Sequence, residues 1–483
     1  MNNNVTKDMV CKQMEKNQPL IARDRYRLHY HLMPSVGLLN DPNGFVFFKG
    51  KYHIFYQWNP FAVEHGVKCW GHSISKDLIH WQEVPVALLP DQWYDQNGCY
   101  SGSAVVYQNR LYVFYTGNVR DNEGNRQSYQ CLAISNDGIH FEKKGPIIQV
   151  PDGYTAHFRD PKVFYMNESW WMVLGAQTEA KNGEVVLCRS ADLWNWTFAG
   201  TLTGNGHQGL DHFGYMWECP DLFRLGNKDI LLVCPQGIPA QGFQYQNIYQ
   251  SGYFAGEIEK KTMSFEHDAF VELDRGFDFY APQTMQDQEG RRILIGWMGN
   301  AEEGSSQLPT ANNGWVHALT VPRQLDWKNG TLLQYPVEEF QQLLENEVRF
   351  NEAVLNAQQL LSLCVDKAFA VYLTVEDMKQ SCLNIQIAGS QIIYDSLLKV
   401  FTFKRKSFTS YQTMESRHCK LDTLSDILIL KDTSSIEIFL NQGEEVFTSR
   451  VFDDENEENV LFTADGEIKL DVKKWDVRRV MDI

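Results

Sequence analysis

The sequence predicts an all-β protein: a five-bladed β-propeller followed by a C-terminal β-sandwich. Three observations lead there. Apolar runs recur from Tyr52 (YHIFYQ), Leu111 (LYVFYTG), Trp170 (WWMVLGAQ), Ile230 (ILLVCPQG) and Ile293 (ILIGWMG), with successive starts 59, 59, 60 and 63 residues apart. About ten residues before each lies a second run: GFVFF, SAVVY, KVFYM, DLFRL and a weaker QTMQD. Beyond residue 355 apolar and polar residues alternate in short segments such as FAVYLTVED, LNIQIAG and DILILKD. Turn signals separate these segments about every 8–12 residues, the pattern of a sandwich.

Within a unit the paired runs are joined by short polar turns, KGK at 49–51 and QNR at 108–110, and read as hairpins. A unit near sixty residues has room for four strands, which makes it a propeller blade. No helical period runs inside the units, which argues against a solenoid. The expected division is an N-terminal arm (1–25), the propeller (26–335), a linker with a short helix (336–354) and the sandwich (355–483). The linker rests on YPVEEFQQLLENEVRFNEAV, with apolar residues at helix-like spacing and Pro336 near its start. NQG at 441–443 suits a hairpin turn within the sandwich.

Composition narrows the function. With 43% hydrophobic and 22% charged residues the 483-residue chain is globular rather than disordered. A net charge of −17 argues against a nucleic-acid partner, which needs a basic face. No run of 18 apolar residues is present, and MNNNVTKDMVCKQMEKNQPL lacks a signal-peptide core. A soluble cytoplasmic protein without a membrane partner is expected. Ten cysteines contain no CxxC pair, and several fall in strand-like runs, such as Cys234 in ILLVCPQG, as buried free thiols would in a reducing compartment.

The period also concentrates chemistry. The starts of the first strands carry Asp41 (NDPNG), Ser101, Asp160 (FRDPK), Glu218 (WECPD) and Tyr280, at spacings of 60, 59, 58 and 62 residues. In a propeller these positions converge on one mouth. Carboxylates gathered there repel one another unless a cation or a reaction employs them. Two readings follow: a glycosidase with a nucleophile and a general acid, or a Ca²⁺ site of oxygen ligands. Gln57, Trp58, Asn59, Trp70, Gln177, Gln236 and Gln283 lie nearby in the pattern and suit a polyhydroxylated ring. His72 reads as a core histidine.

The stretches YHLMPSVGLLNDPNG, FYQWNPF, WGHSISKDLIHW, GCYSGSAVV, HFRDPKVF, GYMWECPDLF, GFDFYAPQT and WVHALTVPRQL together resemble glycoside hydrolase family 32. The resemblance runs from about Tyr26 to Leu325 and is weaker beyond. It implies the same propeller and sandwich and a retaining β-fructofuranosidase acting on a small sugar, sucrose or its 6-phosphate. Asp41 would be the nucleophile, Asp160 the transition-state stabiliser and Glu218 the acid/base, with a pKa raised by its acidic neighbours. Leu39, Asn40, Gln57, Trp70, Tyr100, Ser101, Arg159 and Trp297 would contact substrate. Neither metal nor organic cofactor is implied. Transfer to another sugar, a fructan substrate, an inverting arabinan-type enzyme and a non-catalytic sugar-binding propeller are the alternatives. Three positions depart from the family pattern: Leu38 where Trp is usual, Gln324 in RQL, and GNAEE at 299–303. Lys68 is the candidate for a phosphate contact, against an ordinary exposed lysine. The sequence does not specify an oligomeric state.

Overall fold

Two-residue turns organise the first part of the chain. Lys49 and Gly50 (φ 48° and 78°), Gln108 and Asn109 (47° and 58°), and Asn167 and Glu168 (51° and 57°) are all left-handed. Positive φ at both central residues matches the twist of the flanking strands. Each pair therefore closes an antiparallel hairpin, as between Gly37–Phe48 and Lys51–Asn59. The computed structural model describes residues 5–300, 304–387, 389–408, 413–452 and 459–481, and is all-β apart from one α-helix and short 3₁₀ turns among them.

Between residues 37 and 336 the strands form five consecutive sheets, each opened by an antiparallel hairpin, the first three through such two-residue turns. Their first strands are Gly37–Phe48, Cys99–Tyr107, Tyr154–Met166, Met216–Leu225 and Tyr280–Gln286. Trp315–Val316, between Arg292–Met298 and Arg323–Lys328 of the fifth sheet, crosses to pair in parallel with Gly37 and Leu38 of the first. Each first strand is hydrogen-bonded to its neighbour. Gly102 N donates to Asn43 Oδ1 (3.0 Å), and Val163 N to Ser103 Oγ (3.1 Å). Cys219 N donates to Asp160 Oδ2 (3.0 Å), and Thr284 N to Asp221 Oδ2 (2.7 Å). Phe45 N donates back from the first strand to Gln283 Oε1 (2.9 Å) on the fifth.

The second part is two six-stranded sheets, one from Leu344–Leu355 to Glu445–Arg450 and one from Leu361–Cys364 to Met414–Lys420. Val371, Leu373, Ile427 and Ile429 of the first share a core with Ile385, Phe401, Phe403 and Phe462 of the second. Two sheets facing across one apolar layer form a sandwich. Asn441–Gly443 joins the hairpin of Ser435–Leu440 and Glu445–Arg450, as the NQG signal predicts.

Two segments differ from the sequence reading. Of the linker, Glu338–Leu343 is a 3₁₀ turn that buries Phe340 and Leu343, but Leu344–Leu355 is a strand paired with Ile468–Val477. It is an edge strand and mostly exposed. Polar, charged residues are what keeps such an edge from pairing with another chain, and they mimic the polar face of a helix. Within the N-terminal arm, Lys7–Ile21 is an α-helix capped by the Thr6 hydroxyl, which accepts from Met9 N (3.3 Å). It buries Val10 and Ile21 against the first and fifth sheets. Residues 301–303 of GNAEE lie outside the described residues.

A buried ionic network joins the two parts. Arg323 of the RQL motif, fully buried, contacts Glu437 (Nη2, 2.5 Å) and Asp274 (Nη1, 3.1 Å). Glu437 also meets His31 Nε2 (2.7 Å), whose Nδ1 meets Asp432 (2.9 Å). Gln324 itself points the other way, toward Asp326 Oδ2 (3.3 Å). Removing one member of a buried pair leaves its partners charged and unpaired. Arg323→Ala is expected to cost about 3–5 kcal/mol, read as a fall in the urea midpoint; a shift under about 1 kcal/mol would refute the network's structural role.

Candidate functional site

The acids sit on β-bulges, and the bulges explain the prolines that follow them. In all five first strands the pairing register slips at the same place: Leu39/Pro42, Tyr100/Gly102, Arg159/Lys162, Glu218/Asp221 and Tyr280/Gln283. A bulge leaves one residue unpaired and re-aims its side chain. Proline, which has no N–H to lose, is tolerated there, and Pro42, Pro161, Pro220 and Pro282 occupy four of the slips. In the second strand Gly102 takes the place, because a Cβ there would lie 1.9 Å from the Phe114 carbonyl oxygen. Asp160, Cys219 and Ala281 pay backbone strain at φ 64°, 48° and 47°.

The bulges bring Asp41, Asp160 and Glu218 onto one cavity of about 700 Å³. Asn40, Gln57, Tyr100, Arg159 and Trp297 line it as well. Ser101 lies behind Asp41, donates to its Oδ2 and receives a hydrogen bond from Gln57. Leu39 and Trp70 are not cavity residues. Leu39 is buried in the core beneath the first sheet, and Trp70 packs among Phe55, Leu88 and Tyr115 with its indole N–H on the Tyr100 carbonyl (3.0 Å). Each sits one position from the slip or on the second hairpin, where alternation alone does not tell which face is wet. Leu38 likewise turns into an apolar cluster with Leu308 and Val316. His72 stacks on Phe55 and contacts His53 (3.1 Å), a core histidine.

Each carboxylate has its own electrostatic setting. Burial raises the Asp41 pKa above its usual value, although hydrogen bonds from Ser101 and Asn40 (2.9 Å) oppose this. Burial also pushes Asp160 up to about 7, against the pull of Arg159 and with the nearby Glu218 charge adding to the rise. Glu218 departs from the expectation. Burial alone would raise it, but Arg159 grips Oε1 through Nε (3.0 Å) and Nη2 (2.6 Å). Tyr280 Oη (2.7 Å) and Gln236 Nε2 (2.6 Å) donate to Oε2. Together they hold Glu218 below the ordinary glutamate value. The surroundings thus push the two in opposite directions, Asp160 toward its protonated form and Glu218 toward its charged form.

Several cavity residues carry no periodic signal. Lys68 is not an exposed lysine: it is 4% exposed and donates to Asn40 Oδ1 and His65 Nδ1 (2.9 Å). Burial lowers it to about 7. His157 lies near the start of the first strand of the third sheet, and Arg120, Arg126, Tyr215 and Tyr249 come from strand ends and loops that follow the second strands of their sheets or precede the first. The hairpin pattern fixes the strands but not what their outer ends present. Among the described residues no group of three or more His, Cys, Asp or Glu side chains is arranged to hold a metal ion, and no helix is long and apolar enough to cross a membrane.

Comparison with known proteins agrees with this geometry. Residues 31–336 match the glycosyl hydrolases family 32 N-terminal domain, and residues 339–478 the family 32 C-terminal domain. A sucrose-6-phosphate hydrolase of Bacillus subtilis is 46% identical over 466 residues, 96% of this chain and 97% of that protein. One from Salmonella typhimurium is 43% identical over 92% of both chains. The solved sucrose-6-phosphate hydrolase of Lactobacillus gasseri superposes with a TM-score of 0.89 at 31% identity, over 99% of this chain and 100% of that one. A Bombyx mori family 32 β-fructofuranosidase mutant, solved in complex with sucrose, gives a TM-score of 0.86 at 35% identity over the whole of both chains. The bulged acids, the two sheet assemblies and these matches agree: the chain belongs to glycoside hydrolase family 32.

Proposed function

We propose that this protein is a retaining β-fructofuranosidase that hydrolyses the fructosyl bond of sucrose or sucrose 6-phosphate. Its five sheets are the blades of a closed propeller. What supports closure is the cycle of hydrogen bonds between first strands, which ends where it began, at Phe45 and Gln283. Closure is what brings residues about sixty positions apart to one cavity. The single observation that carries the function is this convergence of three acids in three different settings.

In this reading Asp41 Oδ attacks the anomeric C2 of the fructosyl unit while Glu218 gives a proton to the departing oxygen. That step forms a fructosyl ester on Asp41 and frees the glucose moiety. Water, deprotonated by Glu218, then attacks the same carbon and releases fructose. Ser101 and Asn40 hold Asp41 in its ionised, nucleophilic form. The proton starts on Asp160. Sugar hydroxyls that hydrogen-bond to Asp160 favour its charged form, which drives the proton toward Glu218 as substrate arrives. Asp160 is then an anion beside the oxocarbenium-like centre, where negative charge stabilises the transition state.

The test is product stereochemistry. With sucrose and methanol together, a double displacement yields fructose and a methyl fructoside that keeps the β configuration, read by NMR. An α-fructoside as the first product would refute the covalent route, and an absence of fructose from either sugar would refute the enzyme reading.

A further inference from the structure

Two arginines oppose each other across a hairpin at the cavity mouth. Arg120 ends the strand Arg110–Arg120, Arg126 opens Arg126–Ser135, and they are direct cross-strand partners. Residues so paired project to the same face with Cβ atoms ~5 Å apart, where like charges destabilise the sheet. Both line the cavity, and among the described residues neither has a carboxylate within ion-pair distance, although the Glu218 charge reaches Arg126 from further off. Arg126 lies over the Tyr100 ring (6.0 Å to the centroid), and its Nη1 contacts His157 Nδ1 (3.4 Å). Arg120 gives its backbone N–H to Asn97 Oδ1 (2.7 Å), which anchors this end of the hairpin. Arg120 is exposed and Arg126 half-buried, so two guanidiniums face the solvent of the cavity mouth and draw an anion to it on a chain of net charge −17.

The position of the pair identifies which part of the substrate carries it. His157 Nδ1 also accepts from Arg159 Nη1 (2.7 Å), and Arg159 grips Glu218. Arg126 is therefore linked through His157 and Arg159 to Glu218, the end that meets the leaving group. Lys68 belongs to the other end: it is bound to Asn40 beside Asp41 and committed to His65. We propose that Arg120 and Arg126 clamp a phosphate monoester on the leaving sugar, the 6-phosphate of the glucosyl unit, and so set the preference for phosphorylated sucrose. This rests on the fructosidase reading above. Two guanidinium forks offer the planar paired donors that a phosphate dianion accepts, and the dianion removes the repulsion between them.

The experiment compares kcat/KM on sucrose 6-phosphate and on sucrose for wild type, Arg120→Gln, Arg126→Gln and the double variant. Loss of a charge-assisted contact is expected to cut the phosphorylated substrate roughly 10- to 100-fold per arginine, with a loss on sucrose at least several-fold smaller. Glucose 6-phosphate should inhibit wild-type sucrose hydrolysis more strongly than glucose, an advantage that shrinks with added salt and needs no variant to fold. Parallel losses on both sugars, or no loss on either, would overturn the clamp. A wild type that cleaves both sugars equally, with glucose 6-phosphate no better than glucose as an inhibitor, leaves the fructosidase reading standing and removes the clamp. A wild type that cleaves neither removes both.

Discussion

Asp41→Asn is expected to leave a folded protein that releases essentially no fructose, with kcat reduced by on the order of 10⁴–10⁶. The amide keeps nearly the same volume and can still meet Ser101 and Asn40, which bond the carboxylate in the native site. What it loses is the anion that, in the proposed mechanism, forms the bond to C2. In wild type, rapid quenching during turnover should show a fraction of the protein heavier by one fructosyl unit, on the peptide containing Asp41. The variant should show none, while its thermal midpoint stays close to that of wild type because the bulge and its neighbours are unchanged. A variant with more than about a hundredth of native activity would remove Asp41 as nucleophile. An adduct on another residue would relocate the covalent step.

Sequence alone displayed the acids because a sheet repeats. Once the second strands recur at 59, 59, 60 and 63 residues, equivalent bulges fall at equivalent places, and Asp41, Asp160 and Glu218 occupy three of them. The bulge itself is the limit of that reading. Around it the alternation of inward and outward faces breaks, so Leu39 reads as a cavity residue and is core. Trp70, a large ring near an active site, reads as a platform for sugar and is a wall of the sheet behind Tyr100. One further repeat was available in the text. Ser75 and Asp77, Ser135 and Asp137, and Ser190 and Asp192 each end a third strand, and each aspartate accepts from the backbone two or three residues on. That Ser-x-Asp turn marks the bend into the fourth strand in three sheets. The charge states were not legible, because they depend on who touches whom. Only the Arg159 fork and the Tyr280 hydroxyl, invisible in the sequence, hold Glu218 toward its charged form.

Glu218→Gln separates storing that proton from delivering it. The variant should lose about 10²–10⁴ in kcat on sucrose, since glutamine cannot protonate the departing oxygen. A substrate whose leaving group needs no proton, such as an aryl fructoside of low leaving-group pKa, should form the fructosyl enzyme far less impaired. It should then stall, because the water step has lost its base. The pH profile gives an independent check. In the proposed mechanism the active form carries one proton on the Asp160–Glu218 pair, and loss of that proton as pH rises through the neutral range should lower kcat/KM on the alkaline side. Removing the Glu218 charge removes a cause of the raised Asp160 pKa. Asp160 should then ionise at lower pH, and the residual rate should lose the alkaline limb expected for wild type. An unchanged alkaline limb would mean that another group titrates there. Near-native hydrolysis of sucrose would mean that the proton reaches the leaving oxygen without Glu218.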